Sequence, residues 1–461
     1  MAFATFFRQQ FFSSAARSLG ALVVLSVGSA QFLTAATYYV APNGSDSANG
    51  SSSAPFRNIQ RAADVVSPGD TVIIRNGTYT GGSEAVAEIG RSGSSSQWIT
   101  FKAENQWGAI LDGRNNATRH GLILESGLGY VRFEGLQIQG TEGGGFSASE
   151  NTHDILYYRN LVHHIGRNCT DTEGGQVGFR DKETSSRMVY DSNVLHTIGR
   201  LRPSEGCNNL STDNYKNHDH GLYLRGSNLI VINNVFYNMR SGWAIQSAQG
   251  ADNWVVANNT FAFPNPDREG HIVLWEDNAN IVIANNIFYE PRVAAVYLNP
   301  CSGKSGVVMR NNISTVDMMA ASGGSSSCSG VTLANNRLST NPAMVNPAQF
   351  NFKLSATSPA INQADAAISP SLDHDGKPRP QNGGFDIGAF EFGTAPTVIS
   401  QCDVNNDSVV NVADVQSLIN LILQAGNGPP TVGDLTGDGV VNVSDLQTLV
   451  NAVIGVSSCP S

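Results

Sequence analysis

The feature that most constrains the fold is an asparagine that recurs at nearly constant spacing in the middle of the chain. It ends a doublet in the segments VINNVFY, VANNTFA, IANNIFY, MRNNIS and LANNRL, at Asn234, Asn259, Asn286, Asn312 and Asn336. The spacings are 25, 27, 26 and 24 residues, and two earlier copies carry single asparagines, at Asn160 and Asn193. Val/Ile-rich flanks without a helical pattern predict a solenoid of β-strands at this period. One asparagine per coil can stack as a side-chain ladder with rungs about 4.8 Å apart.

Both ends of the repeat region resemble a known family. The segment YYVAPNGSDSANGSSSAPFRNIQRAADVVSPGDTVIIRNGTY (Tyr38 to Tyr79) is similar to the opening of secreted pectate-lyase-like polysaccharide lyases, notably family nine. The segment DHDGKPRPQNGGFDIGAFEF (Asp373 to Phe392) resembles the closing segment of many such proteins. The resemblance implies an all-β fold, a right-handed parallel β-helix over residues 37–392, in which Pro55 to Val66 forms the helix that caps the open end. This fold hosts lyases, hydrolases, epimerases and adhesins, so the resemblance specifies the fold better than the reaction.

Residues 1–36 have the pattern of a secretory signal peptide. Arg8 and Arg17 precede an apolar run, Leu19 to Val27, that is too short to span a bilayer, and small residues follow it. We therefore expect a secreted protein, extracellular or associated with the cell surface. No later segment is long and apolar enough to be a membrane span of the mature chain.

Export permits disulfide bonds, and the chain has six cysteines. Six cysteines leave 15 connectivities open. The shortest sequential pairing joins Cys169 to Cys207, Cys301 to Cys328 and Cys402 to Cys459. The last pair would bracket a small C-terminal module.

The charge balance excludes one class of partner. Charged residues are 14% of the chain, the formal net charge is −10, and no Lys/Arg-rich run is present. A nucleic-acid-binding protein would need a basic footprint, so that class is set aside. An acidic polysaccharide would have to meet a local basic cluster, and we expect a monomer.

The C-terminal region contains two calcium-loop patterns, DVNNDSVVNVAD (403–414) and DLTGDGVVNVSD (434–445), each followed by an apolar helical segment. The pattern places oxygen ligands at loop positions 1, 3, 5, 7, 9 and 12. The predicted ligands are Asp403, Asn405, Asp407, Val409 (backbone), Asn411 and Asp414 in the first loop, and Asp434, Thr436, Asp438, Val440 (backbone), Asn442 and Asp445 in the second. Ser408 departs from the glycine that the turn prefers, and Thr436 is a weaker ligand.

The tandem loops, with Asp rather than Glu at position 12, resemble a type I dockerin. The resemblance implies a small all-α module over residues 402–459, bound Ca²⁺ and a cohesin-type scaffold protein as partner. Residues 393–401 would be the linker to the β-helix.

Two coils are longer than the repeat. Asn160 to Asn193 is 33 residues and Asn193 to Asn234 is 41 residues. Insertions in a solenoid collect on one face, and long loops in a compact fold are usually functional. A Cys169–Cys207 bridge would tie the two loops together, so we interpret them as the wall of a cleft.

Strand alternation predicts a row of polar side chains beside these loops. If Leu222 and Leu224 face inward, Tyr223 and Arg225 face outward. Aligning the neighbouring strands extends the row, and the predicted substrate-binding residues are Arg180, Lys182, Gln246, Trp275 and Glu276. A basic row on an acidic protein matches the carboxylates of an acidic polysaccharide.

Cleavage of a polyuronate by β-elimination needs a cation on the C5 carboxylate, a base for the C5 proton and an acid for the leaving oxygen. The predicted catalytic residues are Lys216, His218, His220, Tyr223 and Arg225. Arg225, with Arg180 and Lys182, would supply the cation, and the other four are candidates for base or acid. β-Helix lyases commonly use Lys or Arg as base, whereas other uronate lyases and the mannuronan epimerases use His with Tyr. A calcium ion in the cleft, as in related lyases, would draw on Asp181, Glu183, Asp213 or Asp219.

These features predict a secreted lyase that cleaves a pectate- or alginate-like polymer and carries a dockerin-like tail. Three alternatives stay open. They are a C5-epimerase, a glycoside hydrolase that pairs Glu276 and Asp277 with Glu173 or Asp181, and a non-catalytic carbohydrate-binding surface protein. An unsaturated uronate product separates the lyase from all three.

Overall fold

The computed structural model of the chain describes residues 35–170, 174–208, 210, 214–248, 250–393, 402–405, 410–424, 433–436, 441–453 and 459. Residues 1–34 of the expected signal peptide, and most of the expected linker, lie outside these ranges. Among the described helices, none has the length and apolar character needed to cross a membrane.

Three parallel sheets form the walls of a β-helix, because each coil contributes one strand to each sheet. Sheet 1 contains β1 (Thr37–Val40), β2 (Thr71–Ile74), β5 (Ile99–Ala103), β8 (Gly129–Glu134), β11 (His153–Tyr158), β14 (Ser186–Asp191), β17 (Ser227–Ile232), β20 (Ala251–Ala257), β23 (Asn278–Ala284), β26 (Lys304–Ser305), β27 (Val307–Arg310) and β30 (Val331–Ala334). Sheet 2 contains β4 (Ala85–Ile89), β7 (His120–Leu124), β10 (Gly144–Ala148), β13 (Val177–Arg180), β16 (His220–Leu224), β19 (Ile245–Ser247), β22 (Ile272–Trp275), β25 (Ala294–Asn299) and β29 (Asp317–Ala321). Sheet 3 contains β3 (Gly77–Tyr79), β6 (Ala109–Asp112), β9 (Gln137–Gln139), β12 (Leu161–His163), β15 (Val194–His196), β18 (Val235–Tyr237), β21 (Thr260–Ala262), β24 (Ile287–Tyr289) and β28 (Ile313–Ser314). The predicted fold class, a right-handed parallel β-helix followed by a small helical module, is confirmed.

The remaining elements are short. They are α1 (Ile59–Ala63), α2 (Asn214–Asn217), the hairpin β31 (Met344–Asn346) and β32 (Asn351–Leu354), two 3₁₀ turns (Pro203–Glu205 and Pro347–Gln349), and the C-terminal helices α3 (Val412–Gln424) and α4 (Val443–Val453). Helix α1 lies within the predicted capping segment and buries Ile59, Ala62 and Ala63. It therefore covers apolar surface at the first coils, as a terminal repeat must.

The core is a column of apolar side chains between the three sheets. Leu222 and Leu224 face inward with no exposed surface, as strand alternation predicts. Aromatic rings stack from coil to coil inside the column, for example Phe236 on Phe261 with ring centroids 4.8 Å apart and Phe261 on Phe288 at 4.9 Å. The in-register stacking of like side chains places every coil directly above the last.

The recurring asparagines form a continuous ladder that is buried except at its last member, Asn336, which is half-buried. In each of six steps, Nδ2 of one asparagine donates to Oδ1 of the next at 2.9–3.0 Å. The same Oδ1 also accepts the backbone N–H of the preceding asparagine at 2.8–3.1 Å. The members are Asn160, Asn193, Asn234, Asn259, Asn286, Asn312 and Asn336, so the predicted ladder is confirmed.

The first asparagine of each doublet has a different role. Asn233, Asn258 and Asn285 have φ values of 52–58°, in the left-handed region that asparagine tolerates better than most residues. Their Nδ2 groups donate to backbone carbonyls of residues 365–386, at Leu372, Asp386 and Asp365 respectively. The doublet therefore turns the chain and also holds residues 365–386 against the outside of the β-helix.

The described part of the C-terminal module is two helices around a small core. Leu418 of α3 and Leu449 of α4 are fully buried and pack with Leu435 and Val404. Disulfide bonds join Cys169 to Cys207, Cys301 to Cys328 and Cys402 to Cys459. The sequential pairing is the one present in the structure, and the last disulfide brackets this module.

Replacing one rung of the ladder should destabilise the protein strongly. Asn259→Ala removes three donated hydrogen bonds, to Asn286 Oδ1, Val231 O and Ala257 O, and leaves buried partners unsatisfied. We expect the free energy of unfolding in urea to fall by roughly 3–5 kcal/mol. The control is Asn341→Ala at an exposed position, which should cost less than about 1 kcal/mol. Equal effects of the two substitutions would contradict a structural role for the ladder.

One buried histidine should make the fold sensitive to acid. Burial lowers the pKa of His271 to about 3, and its Nε2 lies 3.0 Å from the carbonyl of Tyr289. Below about pH 6.5 the His271 imidazole is protonated in the unfolded chain but stays neutral in the folded chain. The free energy of unfolding therefore decreases as the pH falls from about 6.5 towards 3. We expect wild type to lose up to about 1.4 kcal/mol more per pH unit than His271→Phe over this window. Parallel urea-unfolding profiles of the two proteins from pH 7.5 to 4.5 would contradict this.

Candidate functional site

The outer face of sheet 2 carries a continuous row of side chains. Strand register pairs Arg180 with Tyr223, Tyr223 with Gln246, Gln246 with Val273 and Val273 with Tyr297. Since neighbouring strands lie about 4.8 Å apart, the row runs along the axis of the β-helix. The structure thus brings together three residues that were predicted for one row, Arg180, Tyr223 and Gln246.

Two adjoining cavities follow this row and share Asn217, His218 and Gln246. The first, of about 190 Å³, is lined by Gly175, Val177, Arg180, Asn217, His218, His220, Tyr223 and Gln246. The second, of about 320 Å³, is lined by Asn217, His218, Trp243, Gln246, Arg268, Glu269, Trp275, Tyr297 and Asn299. We call these two adjoining cavities together the groove.

Arg180 supplies the positive charge of the first cavity. Its Nη2 donates to the carbonyl of Gly175 at 2.7 Å, while its buried Nε–H has no hydrogen-bond partner in the described structure. Burial, reinforced by the charge of Arg225, lowers the pKa of Arg180. A guanidinium with an unused donor beside a cavity is suited to a carboxylate ligand.

His220 lies at the base of the first cavity beside Tyr223. The two rings stack with centroids 5.4 Å apart, and Nδ1 of His220 accepts the backbone N–H of Trp243 at 3.1 Å. Burial, followed by the charges of His218 and Arg180, lowers the pKa of His220 well below its ordinary value. The ring is therefore neutral near pH 7, and the hydrogen bond at Nδ1 assigns its proton to Nε2.

A buried ion pair fixes the loops that overhang the groove. Arg200 and Asp219 are fully buried, and Arg200 Nη2 donates to Asp219 Oδ1 at 3.0 Å. The Asp219 carboxylate also accepts the backbone N–H groups of Gln176 and Arg200, and Arg200 donates to the carbonyl of Gly174. With the Cys169–Cys207 disulfide, this pair joins the two long coils into one wall.

Hydrogen bonds to helix α2 hold the rim of the groove in position. The carbonyl of Lys216 accepts hydrogen bonds from Gly242 N at 2.9 Å, Asn265 Nδ2 at 2.9 Å and Arg268 Nε at 3.1 Å. This docking holds Asn217 and His218 over both cavities. The ammonium group of Lys216 itself lies over the ring of Tyr215 at 5.4 Å, and Lys216 is not among the lining residues.

Three further residues predicted for the row fall outside it, because the strands end early. Strand β13 ends at Arg180, and Lys182 lies 3.8 Å from Glu150. Glu276 follows the end of β22 with φ 56°, and its backbone N–H donates to Asn299 O. Arg225 follows β16, lies over the Tyr223 ring at 5.4 Å and pairs with Glu183 at 2.9 Å. Trp275 is 41% exposed and does line the second cavity.

The acidic residues predicted for calcium in the cleft are used elsewhere. Asp181 is fully buried, accepts the backbone N–H groups of Arg225 and Gly226, and has a pKa that burial raises to about 7. Glu183 pairs with Arg225 and Asp219 with Arg200, while Asp213 lies outside the described residues. The described residues contain no group of three or more His, Cys, Asp or Glu side chains close enough to hold a metal. The described residues therefore do not assemble the expected cleft calcium site.

The paired carboxylates expected for a hydrolase are also not assembled in the described structure. Glu173 lies outside the described residues, and Asp181 is enclosed by backbone donors. Among the described lining residues of the two cavities, Glu269 is the single carboxylate.

At the aromatic end of the groove, sequence reasoning predicted Trp275 but missed Trp243 and Tyr297. Trp243 and Tyr297 stack with ring centroids 5.8 Å apart, and both line the second cavity with Arg268, Glu269 and Asn299. Tyr297 could have been predicted from the sequence, because aligning AAVYLN with the preceding strands places it in the same row as Gln246.

The calcium loops are partly described. Asp414 accepts the backbone N–H groups of Asn405 and Asn411, and Asp445 accepts those of Leu435, Thr436 and Asn442. Both position-12 carboxylates are fully buried at the start of their helices. Asp403, Asn411, Asp434 and Asn442 are also described, whereas Asp407, Val409, Asp438 and Val440 lie outside the described residues. The described parts of the two loops repeat the same hydrogen bonds to the position-12 carboxylate, and their oxygen-rich residues fit a hard cation such as Ca²⁺.

The wall of the groove should loosen when its ion pair is broken. Asp219→Asn leaves the buried Arg200 guanidinium without its counter-charge, which should cost roughly 3–5 kcal/mol. We expect faster hydrogen exchange at the amides of Gln176 and Arg200 and a lower unfolding midpoint. The matched control is Glu183→Gln, which removes a half-exposed partner of Arg225 and should cost less than about 1 kcal/mol. Unchanged exchange in Asp219→Asn would contradict the role of this pair.

Comparisons with known proteins agree with this architecture. The chain matches the family described as "Pel9A-like, right handed beta helix region" over residues 38–196, "Right handed beta helix region" over residues 205–357 and "Dockerin type I domain" over residues 401–454. The pectate lyase PEL9 of Emericella nidulans is 32% identical over 213 residues, which cover 42% of this chain and 47% of that enzyme. The uncharacterized protein YwoF of Bacillus subtilis is 34% identical over 79 residues, which cover 17% of this chain and 16% of that protein.

The chain thus spans about half the length of the first relative and a smaller part of the second. Among solved structures, pectate lyase Pel9A superposes with a TM-score of 0.51 at 17% identity, covering 78% of this chain and 97% of that one. At this identity the likeness concerns the fold. The chain is a right-handed parallel β-helix protein that resembles the pectate-lyase-like polysaccharide lyases and carries a type I dockerin module at its C-terminal end.

Proposed function

We propose that this protein is a secreted lyase that cleaves a uronic-acid polysaccharide, pectate- or alginate-like, by β-elimination. The observation that carries the proposal is the pairing of Arg180 with Tyr223 in one cavity with His218 and His220. The similarity to a pectate lyase over nearly half of each chain supports the same class of substrate. The two cavities follow one another along the row on sheet 2, an arrangement that suits an extended polymer.

In the proposed reaction, Arg180 and His220 bind the uronate carboxylate. Arg180 binds the C5 carboxylate and neutralises it, and His220 donates a second hydrogen bond through Nε2. This withdraws charge from C5 and makes its proton more acidic. His220 is in this scheme a donor and not the base, because its Nδ1 is engaged by Trp243 N–H and its ring is neutral.

Proton transfer falls to His218 and Tyr223. His218 lies on the rim between the two cavities and takes the C5 proton. The C5–H electrons form the C4–C5 double bond, the C4–O bond breaks, and Tyr223 gives its hydroxyl proton to the leaving oxygen. Lys216 and Arg225 have supporting roles in this assignment, Lys216 by anchoring α2 and Arg225 by packing on Tyr223.

Substitutions in the cavity should separate these roles. We expect Arg180→Ala and Tyr223→Phe each to lower kcat/KM by about 10²–10³-fold with the fold intact, because each removes a group that acts on the transition state. His220→Gln, which keeps a donor, should retain more activity than His220→Ala. The measurement is the ultraviolet absorbance of the unsaturated uronate product on pectate and on alginate.

Matched controls lie on the other sheets. Arg132→Ala and Tyr130→Phe alter residues of β8 in sheet 1 and should leave kcat/KM unchanged. Full activity in all four cavity variants would mean that the groove is not the catalytic site. No absorbance change in wild type, together with inverted C5 configuration or new reducing ends, would replace the lyase with an epimerase or a hydrolase.

We further propose that the dockerin module binds Ca²⁺ through the twelve loop residues named above and attaches the enzyme to a cohesin-type scaffold protein.

The division into a β-helix domain (37–392), a linker (393–401) and a module (402–459) implies that the module is dispensable for cleavage. Removing residues 396–461 should leave kcat/KM on soluble polymer within about twofold, since the module is an independent domain. Chelation should lower the helix content of the full chain and not that of the truncated chain. A large loss of activity on truncation would contradict this division.

A further inference from the structure

The two ends of the groove differ in chemistry. The basic half, lined by Arg180, His218, His220 and Tyr223, contains no carboxylate among its described lining residues. The aromatic half, lined by Trp243, Trp275, Tyr297, Arg268 and Glu269, contains one positive and one negative side chain. A polymer lying along the groove therefore meets a net positive charge at one end and a charge-balanced aromatic surface at the other.

The aromatic half offers flat apolar surface to a bound sugar. The exposed faces are those of Tyr297, which is half-buried, and Trp275, which is 41% exposed, while the buried Trp243 lies nearly parallel to Tyr297 at an interplanar angle of 13° and supports its ring. Aromatic faces carry partial negative charge and attract the C–H groups on the face of a sugar ring. The surface suits any pyranose, so ring stacking alone does not select a charged or an uncharged unit.

Glu269 favours an uncharged sugar unit over a charged one in the aromatic half. Its Oε1 lies 3.7 Å from Arg292 Nη2, and its buried Oε2 has no hydrogen-bond partner in the described structure. The neighbouring Arg268 guanidinium donates through Nε to the carbonyl of Lys216. The Glu269 side chain lines the second cavity and keeps 23% of its surface exposed, so its carboxylate can accept a sugar hydroxyl, whereas a uronate carboxylate would face a like charge at short range.

We propose that the groove contains two different subsites, one in the basic half for a uronate and one in the aromatic half for a sugar without a free carboxylate. The preferred substrate is then a polysaccharide in which acidic and uncharged sugars are adjacent, in contrast to a uniformly charged polyuronate. This inference rests on the proposed function, because it takes the groove as the substrate site.

The test compares ligands that differ only in charge. Galacturonate and mannuronate hexamers are used as they are and after chemical reduction of about half of their carboxyl groups to primary alcohols. Binding to the full-length protein is measured by calorimetry. For the hexamer of the sugar that binds, we expect the partly reduced form to bind roughly three- to tenfold more tightly than the fully charged form. Glu269→Gln should abolish this difference by improving the binding of the fully charged hexamer.

Two further variants fix the interpretation. Trp275→Ala should weaken the binding of both forms by about fivefold or more, because it removes stacking surface. Glu290→Gln, which alters a carboxylate at the end of β24 in sheet 3, should change neither. An unaltered thermal midpoint of Glu269→Gln establishes that the variant is folded.

The outcomes separate this inference from the proposed reaction. Tighter binding of the fully charged hexamer, or no effect of Glu269→Gln on the ratio, overturns the two-subsite division even if unsaturated product forms. The expected ratio and its loss in Glu269→Gln support the division even if no product forms, in which case the lyase assignment fails alone. No effect of Trp275→Ala on either ligand also overturns the division.

Discussion

The hydrogen-bonded asparagine ladder sets the register of the coils, and the rest of the structure depends on that register. Each rung ties a side-chain amide and a backbone N–H to the same oxygen of the next coil, so a slip of one residue would break two bonds at once. A one-residue slip in a strand would also turn its apolar face outward. The ladder fixes how successive coils stack. Because the register is fixed, sheet 2 aligns Arg180, Tyr223 and Gln246 in one row.

The two asparagines of a doublet have different roles, one inside the β-helix and one on its outer surface. Asn234 and its equivalents lie inside and bind one another, whereas Asn233, Asn258 and Asn285 adopt left-handed backbone conformations and bind residues 365–386. The closing segment is itself organised by a buried pair, Arg379 with Glu391 at 2.9 Å. The chain therefore uses one short motif both to stack its coils and to fasten its end.

Much of the fold could be predicted because it repeats. The Asn259 ladder, the inward Leu222 and Leu224, and the two long coils all follow from period and alternation. The Cys169–Cys207 bond was expected on a different ground, as part of the shortest sequential pairing among 15 connectivities. Predictions failed where periodicity stops, since Lys182 and Glu276 lie beyond the ends of their strands and leave the row. The Arg200–Asp219 pair could not be anticipated, because it joins residues of a non-repetitive loop whose path no pattern dictates. Tyr297 could have been found by carrying the strand alignment one coil further.

The groove is built from side chains that belong to different coils, one per strand. Each coil advances the row by about 4.8 Å, a distance comparable to the length of one sugar unit in a polymer. A duplicated or deleted coil would therefore insert or remove one binding position while the aromatic stack and the ladder continue through it. Length and order of the sugars recognised could in this way change in whole units during evolution, with no need to redesign the core.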